Sequence, residues 1–253
     1  MPAYLIAFIQ PTGKAFAEYP PLIPSTLEPY SGKIVLKCFV AEAVTNGGPE
    51  FKERSTADDF KIAVAIEFPT LDKAMAWKNS DAYQAIIGIR LENSTGPLIV
   101  CDGTGKVVEN AAAYCLTFVK ATDPKFKEYP PKVQATLDPY GGEFLVRCML
   151  GKSAEEGGPA FAERTTSQDY TVAVLLGFPT VEKLHEWHDS SEYYMHISWS
   201  ACVLYFSHKR HMYVVITFQR NTKISSVFVL IIPLDLLLEA RVSVRMSHGM
   251  QVL

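Results

Sequence analysis

No Cys-x-x-Cys pair occurs in the 253-residue sequence, and its five cysteines, at positions 38, 101, 115, 148 and 202, are an odd number. Four of them fall in stretches that read as strands, where a free thiol behaves as a small apolar side chain. Reduced core cysteines in an intracellular, cytoplasmic protein are the reading they favour. Also missing are a P-loop, a dinucleotide fingerprint, a His-Glu-x-x-His helix and a nucleophile elbow. Their absence removes the functions a sequence declares openly, and leaves enzymes that need few obvious catalytic side chains. The amino terminus, MPAYLIAFIQP, lacks a basic leader and reads as a first strand. Formal net charge is only −3, so no global field calls for nucleic acid or an anionic membrane. That total hides an asymmetry: residues 1–199 carry 18 basic against 25 acidic side chains, and residues 200–253 carry 6 against 2.

What the sequence does contain is a duplication at an offset of 110 residues. Ala3-Tyr4-Leu5-Ile6-Ala7-Phe8 returns as Ala113-Tyr114-Cys115-Leu116-Thr117-Phe118, and Tyr19-Pro20-Pro21 as Tyr129-Pro130-Pro131. The run from Thr26 to Cys38 returns from Thr136 to Cys148, Gly47-Gly48-Pro49 as Gly157-Gly158-Pro159, and Phe68-Pro69-Thr70 as Phe178-Pro179-Thr180. Trp77 matches Trp187 and Tyr83 matches Tyr193. Matches without a shift of register make the repeat the first fact of the fold.

Within the first repeat the periodicity predicts β-α-β-β-α-β. Tyr4 to Ile9, Lys33 to Val40, Ile62 to Phe68 and Leu98 to Cys101 read as strands, rich in β-branched and aromatic residues. Phe16, Tyr19, Ile23 and Leu27 have helical spacing, but Pro20, Pro21 and Pro24 interrupt it and predict short pieces. Glycine after Tyr30 and Tyr140 is expected to supply the positive φ of a C-cap. Thr70 is predicted to cap a helix whose Ala74 and Trp77 face the sheet, and Ser80 starts a further turn over Asp81 to Ile87. Such a unit makes a four-stranded antiparallel sheet with both helices on one face. The other face is apolar too, so the expected α+β architecture is two tandem ferredoxin-like units packed sheet to sheet. The boundaries predicted are 1–104 for the first domain, 111–218 for the second, and 219–253 for an atypical tail.

Phe68-Pro69-Thr70, Ala76-Trp77, Asn79-Ser80, Ala82-Tyr83-Gln84 and Arg90 together resemble the signature of the DUF1330 family. In the second copy, Tyr140-Gly141-Gly142, Leu145-Val146-Arg147, Phe178-Pro179-Thr180, Trp187 and Ser190 to Tyr193 resemble it again. The resemblance implies the dimeric α/β-barrel superfamily, here as an intramolecular dimer. It implies no general activity, because superfamily relatives include cofactor-free monooxygenases, haem-dependent enzymes, isomerases and ligand-sensing modules. The second copy replaces Glu67 by Gly177 and Arg90 by Ser200.

Tyr30, Glu67, Tyr83 and Arg90 are the candidate ligand-binding residues, the tyrosines and arginine as an anchor for a small carboxylate and Glu67 as a titratable pocket acid. Glu53-Arg54 and Glu163-Arg164 recur in the long loop after the second strand, where a latch onto the partner repeat is favoured over a ligand contact. All six histidines, from His185 onward, fall in the second copy or tail, so a duplicated histidine site is excluded. His185 and His188 lie three apart on a helix but lack a clear third ligand, and no metal or cofactor is expected. Two functions remain: a small-molecule-binding or cofactor-light enzyme with a pocket in the first repeat, and a non-catalytic structural or ligand-sensing module.

Repeat similarity fails after about Ser198. Ser207 to Tyr213, at the place of the fourth strand, does not read as one, and Tyr213 to Phe218 is the expected substitute after a slip. Val227 to Leu238, with Pro233 and Asp235, is too short and interrupted to span a bilayer. An added strand pair or helix, a membrane-surface element and a non-native carboxyl terminus compete for this tail, and the reversed charge balance favours the last.

Overall fold

The computed structural model describes residues 1–52, 60–121, 124–165, 168–193, 205–206, 211–220 and 223–233. The chain divides into two compact units, Met1–Tyr193 and Tyr194–Leu253.

The first repeat opens with strand β1 (Ala3–Pro11), buried on both faces from Ala3 to Ala7. The proline-broken segment forms 3-10 turns at Lys14–Glu18, Pro20–Leu22 and Glu28–Tyr30 around the one-turn helix α1 (Ile23–Leu27). The positive φ after Tyr30 falls on Ser31, at 55°, and not on glycine as expected. Gly32 is needed for another reason: a Cβ there would lie 2.8 Å from side-chain atoms of both Leu27 and Phe68. In the second copy Gly141 takes the left-handed position, at φ 67°.

Strands β2 (Lys33–Phe39) and β3 (Ile62–Phe68) pair antiparallel, with a register shift between Ile34 and Leu36. Thr70 caps helix α2 (Leu71–Lys78), its hydroxyl accepting from Lys73 N–H at 3.3 Å. Ser80 caps α3 (Asp81–Asn93), which runs past the predicted Ile87 and so carries Arg90 in its last turn. The two-residue strand β4 (Ser94–Thr95) pairs with the end of β1, and β5 (Leu98–Asp102) completes the unit. Strand order is β2-β3-β1-β5, all antiparallel.

The second repeat gives β6 (Ala113–Val119), helix α4 (Tyr129–Leu137) and β7 (Glu143–Met149). Its long loop carries the short strand β8 (Phe161–Glu163), followed by β9 (Val172–Phe178) and α5 (Val181–His188). β6, β9 and β7 pair in that order with the first repeat's register, including a shift at the equivalent place, between Phe144 and Val146. The Gly-Gly-Pro loops match for a steric reason. A Cβ on Gly48 or Gly158 would lie 1.9 Å from the carbonyl oxygen of Glu42 or Lys152.

Buried side chains lie on both sides of the first sheet. On the helix side of the first sheet, Leu5, Phe68, Trp77, Tyr83, Leu98 and Val100 pack with Tyr19 and Leu27. On the other side, Tyr4, Ile6, Ala65, Ile99 and Cys101 interleave with Leu145, Val146, Cys148, Ala173 and Leu175 of the second repeat. The repeats are thus packed sheet to sheet, and burial on both faces explains why β1 is a continuous apolar run rather than an alternating one. Two backbone seams join them. Thr104 N–H donates to Leu145 C=O at 2.9 Å, and β8 adds to β5 as a fifth strand of the first sheet, with Leu98 opposite Glu163 and Val100 opposite Phe161.

In the second unit, β10 (Tyr205–Phe206), β11 (His211–Arg220) and β12 (Lys223–Pro233) form an antiparallel sheet in that order. One sequence expectation is corrected here: His211 to Tyr213 belong to a strand, pairing with β12 and, at Met212 and Tyr213, with β10. Among the described residues no helix is long and apolar enough to cross a membrane.

Candidate functional site

A buried polar cluster of the first unit lies at the end of α3, where Arg90 is only 3% exposed. A cation placed there must be paired or pay a large desolvation cost. Its partner comes from the other repeat. Nη1 and Nη2 of Arg90 donate to Oε1 and Oε2 of Glu163 at 2.7 and 2.9 Å, a two-pronged contact. Burial disfavours the charged guanidinium, but the Glu163 hydrogen bonds and neighbouring tyrosines outweigh it and raise its pKa further. The Tyr19 and Tyr83 hydroxyls lie 3.2 Å apart, and the Tyr19 oxygen faces the same guanidinium. Burial first, then Tyr83, pushes the Tyr19 phenol far above its ordinary value, so it stays protonated and serves as a hydrogen-bonding group rather than a base.

The loop that delivers Glu163 makes a few further contacts. Lys78 Nζ stands 3.9 Å over the ring of Phe161, and Ala160 N–H donates to Val100 C=O at 2.9 Å. Arg164, at a left-handed φ of 51°, donates to the carbonyls of Leu91 and Ser94 at the carboxyl end of α3. A cation at that end satisfies open carbonyls and the helix dipole together. The equivalent loop of the first repeat reaches the other way. Phe51 stacks on His188 with centroids 3.9 Å apart, and Glu50 Oε2 meets His185 Nε2 at 3.1 Å. Phe51 and His188 are the 110-residue counterparts of Phe161 and Lys78, so the arms are related by the duplication. Glu53 and Arg54 lie outside the described residues.

Of the four candidate pocket residues, only Tyr83 and Arg90 come together. Glu67 points to the opposite face of the sheet, where it accepts a 3.0 Å hydrogen bond from the Tyr4 hydroxyl. Burial and then Glu67 raise the Tyr4 phenol well above its usual range. Alternation along β3 dictates this side, shared with Ala65 and opposed to Ile66 and Phe68. Gly177 replaces Glu67 in the second copy because Leu145 fills the space: a Cβ there would lie 2.7 Å from Leu145 Cδ1. Tyr30 packs against the edge of the helix-side core and shares no hydrogen bond or ion pair with Arg90 among the described residues. The pocket expected to hold Glu67, Tyr30, Tyr83 and Arg90 together is therefore not assembled.

Sequence reasoning missed Tyr19 and Thr26. Tyr19 is visible as a repeated Tyr-Pro-Pro, but its spacing reads only as part of a proline-broken helix. Thr26 and its counterpart Thr136 each accept the indole N–H of the tryptophan, Trp77 or Trp187, at 3.0 Å. Each tryptophan also lies 4.1 Å from its repeat's tyrosine, Tyr83 or Tyr193, consistent with the packing role read for them. His185 and His188 are engaged by the first repeat's arm, and no group of three or more metal-ligating side chains occurs among the described residues. Two open surface clefts are not lined by Arg90. One of about 380 Å³ runs from Pro24 to Ile34, and one of about 470 Å³ lies among Gln10, Phe60, Gly96, Arg164 and Tyr170.

Comparison with known families finds one match, described as "Domain of unknown function (DUF1330)", at residues 2–104 and again at 112–199. No curated protein matches the chain. Among solved structures, a protein of unknown function from Rhodopseudomonas palustris is 17% identical, covering 39% of this chain and 79% of that one, with a TM-score of 0.28. A mutant chlorite dismutase from Candidatus Nitrospira defluvii is 10% identical, covering 76% and 85%, with a TM-score of 0.38. A second mutant of that enzyme, in complex with cyanide, gives 10% identity, 76% and 84% coverage and the same TM-score, 0.38.

Proposed function

The chain belongs to the DUF1330 family, and we propose that it works as a non-catalytic, ligand-sensing α/β module whose second repeat locks the first. The observation that carries this reading is the buried Arg90–Glu163 pair. Both guanidinium Nη groups are taken by the protein's own carboxylate, and β1 and β5, in the first sheet, are covered by side chains on both faces. Raised phenol pKa values at Tyr4 and Tyr19 favour fixed hydrogen-bonding groups over acid–base catalysis. The reciprocal arms support a device whose output is a change in how tightly the repeats hold each other.

Thermal-shift screening of the purified full chain against a small-molecule panel tests this. Stabilising compounds are then incubated with the protein and followed by mass spectrometry. The expected result is binding without conversion, and turnover of any stabilising compound overturns the reading.

A further inference from the structure

We propose that Arg90, Tyr19 and Tyr83 form a binding site for a small carboxylate, and that Glu163 occupies it as a built-in competitor. This rests on the sensing reading above and gives it a ligand class. The guanidinium already holds a carboxylate through two parallel N–H donors, a geometry that suits a free carboxylate as well as a side-chain one.

The cluster is also short of acceptors. Arg90 Nε, on a side chain 4% exposed, is buried without a hydrogen-bond partner. The single bond between the Tyr19 and Tyr83 hydroxyls uses one of their two phenolic protons. Buried donors without acceptors are rare in folded proteins. Among the described residues Glu163 accepts from the two Nη groups and from neither Arg90 Nε nor a phenol, so an added oxygen atom has donors to meet. A carboxylate carrying a further hydroxyl or carbonyl oxygen supplies one.

The competitor sits on a removable element. β8 has three residues, it is an outer strand of the sheet, and the Glu163 side chain is 15% exposed while Arg90 is sealed beneath it. Short edge segments open at low cost compared with a core strand. When a ligand takes Arg90, Glu163 turns to solvent and β8 loses its terminal anchor, while Arg164 on the carbonyls of Leu91 and Ser94 keeps the loop nearby. Because Glu163 is tethered, it competes at an effective concentration on the order of millimolar, so a simple carboxylate has to reach that range to displace it.

The test uses the full chain with sodium acetate as the probe and sodium chloride at equal ionic strength as the control. In the wild type, acetate is expected to speed hydrogen exchange of residues 160–165, with chloride inert. Glu163→Gln removes the competing charge and is expected to bind acetate at least tenfold more tightly, raising its melting temperature by about 5 °C near saturation. Arg90→Met is expected to abolish both responses. Folding of each variant is checked by circular dichroism; if Glu163→Gln does not fold, the wild-type exchange experiment decides. Exchange at 160–165 that ignores acetate, or a folded Glu163→Gln indifferent to it, overturns the proposal and leaves the spare donors to water. Ligand binding elsewhere without turnover would then leave the sensing reading standing, whereas turnover would remove that reading instead.

Discussion

β2 and β7 occupy equivalent places in the two repeats, yet no residue of β2 is fully buried, whereas Phe144, Leu145, Val146 and Cys148 of β7 are. The sequences differ little in apolar content, so the difference comes from what each strand meets. The end of β5 and the join at Thr104 run against β7. The two arms differ in the same sense. The second repeat's arm ends in a sealed ion pair with Arg90, while the first repeat's arm ends in ring stacking and a half-exposed His185–Glu50 contact. A duplicated sequence has therefore produced a one-sided lock, in which the first repeat is the part held and the second the part holding.

The comparison breaks most sharply at Arg90. Arg90→Ala strands the Glu163 carboxylate and should cost about 4 kcal/mol in urea unfolding of the full chain; a loss under 1 kcal/mol would mean that the lock is ornamental. The helix-side cores should instead behave alike. Thr26→Val and Thr136→Val each leave a buried indole N–H unpaired, and about 2 kcal/mol is expected from both. Unequal losses would show that the repeats differ inside as well as at their seam.

High pH gives a third test. The folded-state phenols of Tyr4 and Tyr19 are raised above their unfolded values, so their contribution is complete below about pH 10 and falls as pH rises through the alkaline range. Each phenol should remove about 1.4 kcal/mol of stability per pH unit above 10. Tyr4→Phe and Tyr19→Phe should flatten that slope, and an unchanged slope would point to lysines. The smallest effect is expected at the weaker arm, where Phe51→Ala should cost about 1 kcal/mol. A cost matching that of Arg90→Ala would erase the distinction between the arms.

Much of the fold was legible because it is local. Strand β3 falls on Ile62–Phe68 as its composition predicts, Thr70 caps α2, and the prolines break the first helix into turns. The sheet-to-sheet packing was legible from the second apolar face. What was not legible depends on residues distant in sequence. Nothing near Arg90 announces Glu163, and nothing in the pattern of β3 says that Tyr4, rather than a ligand, takes Glu67. Position 31 shows a subtler limit, since a serine adopts the left-handed turn while the adjacent glycine answers to the Leu27 and Phe68 side chains.

Arg90 and Glu163 stand 73 residues apart in the chain. At ordinary rates of translation, about 5–20 residues per second, the arginine leaves the ribosome roughly 4–15 s before its partner exists. During that interval the outer edge of β5 has no β8 to cover it, and the first repeat carries an unmatched cation beside its helix-side core. The nascent first half is thus a natural client for chaperones, and a polysome loaded with such halves is where a β8 strand from one chain has its best opportunity to close on the β5 of another.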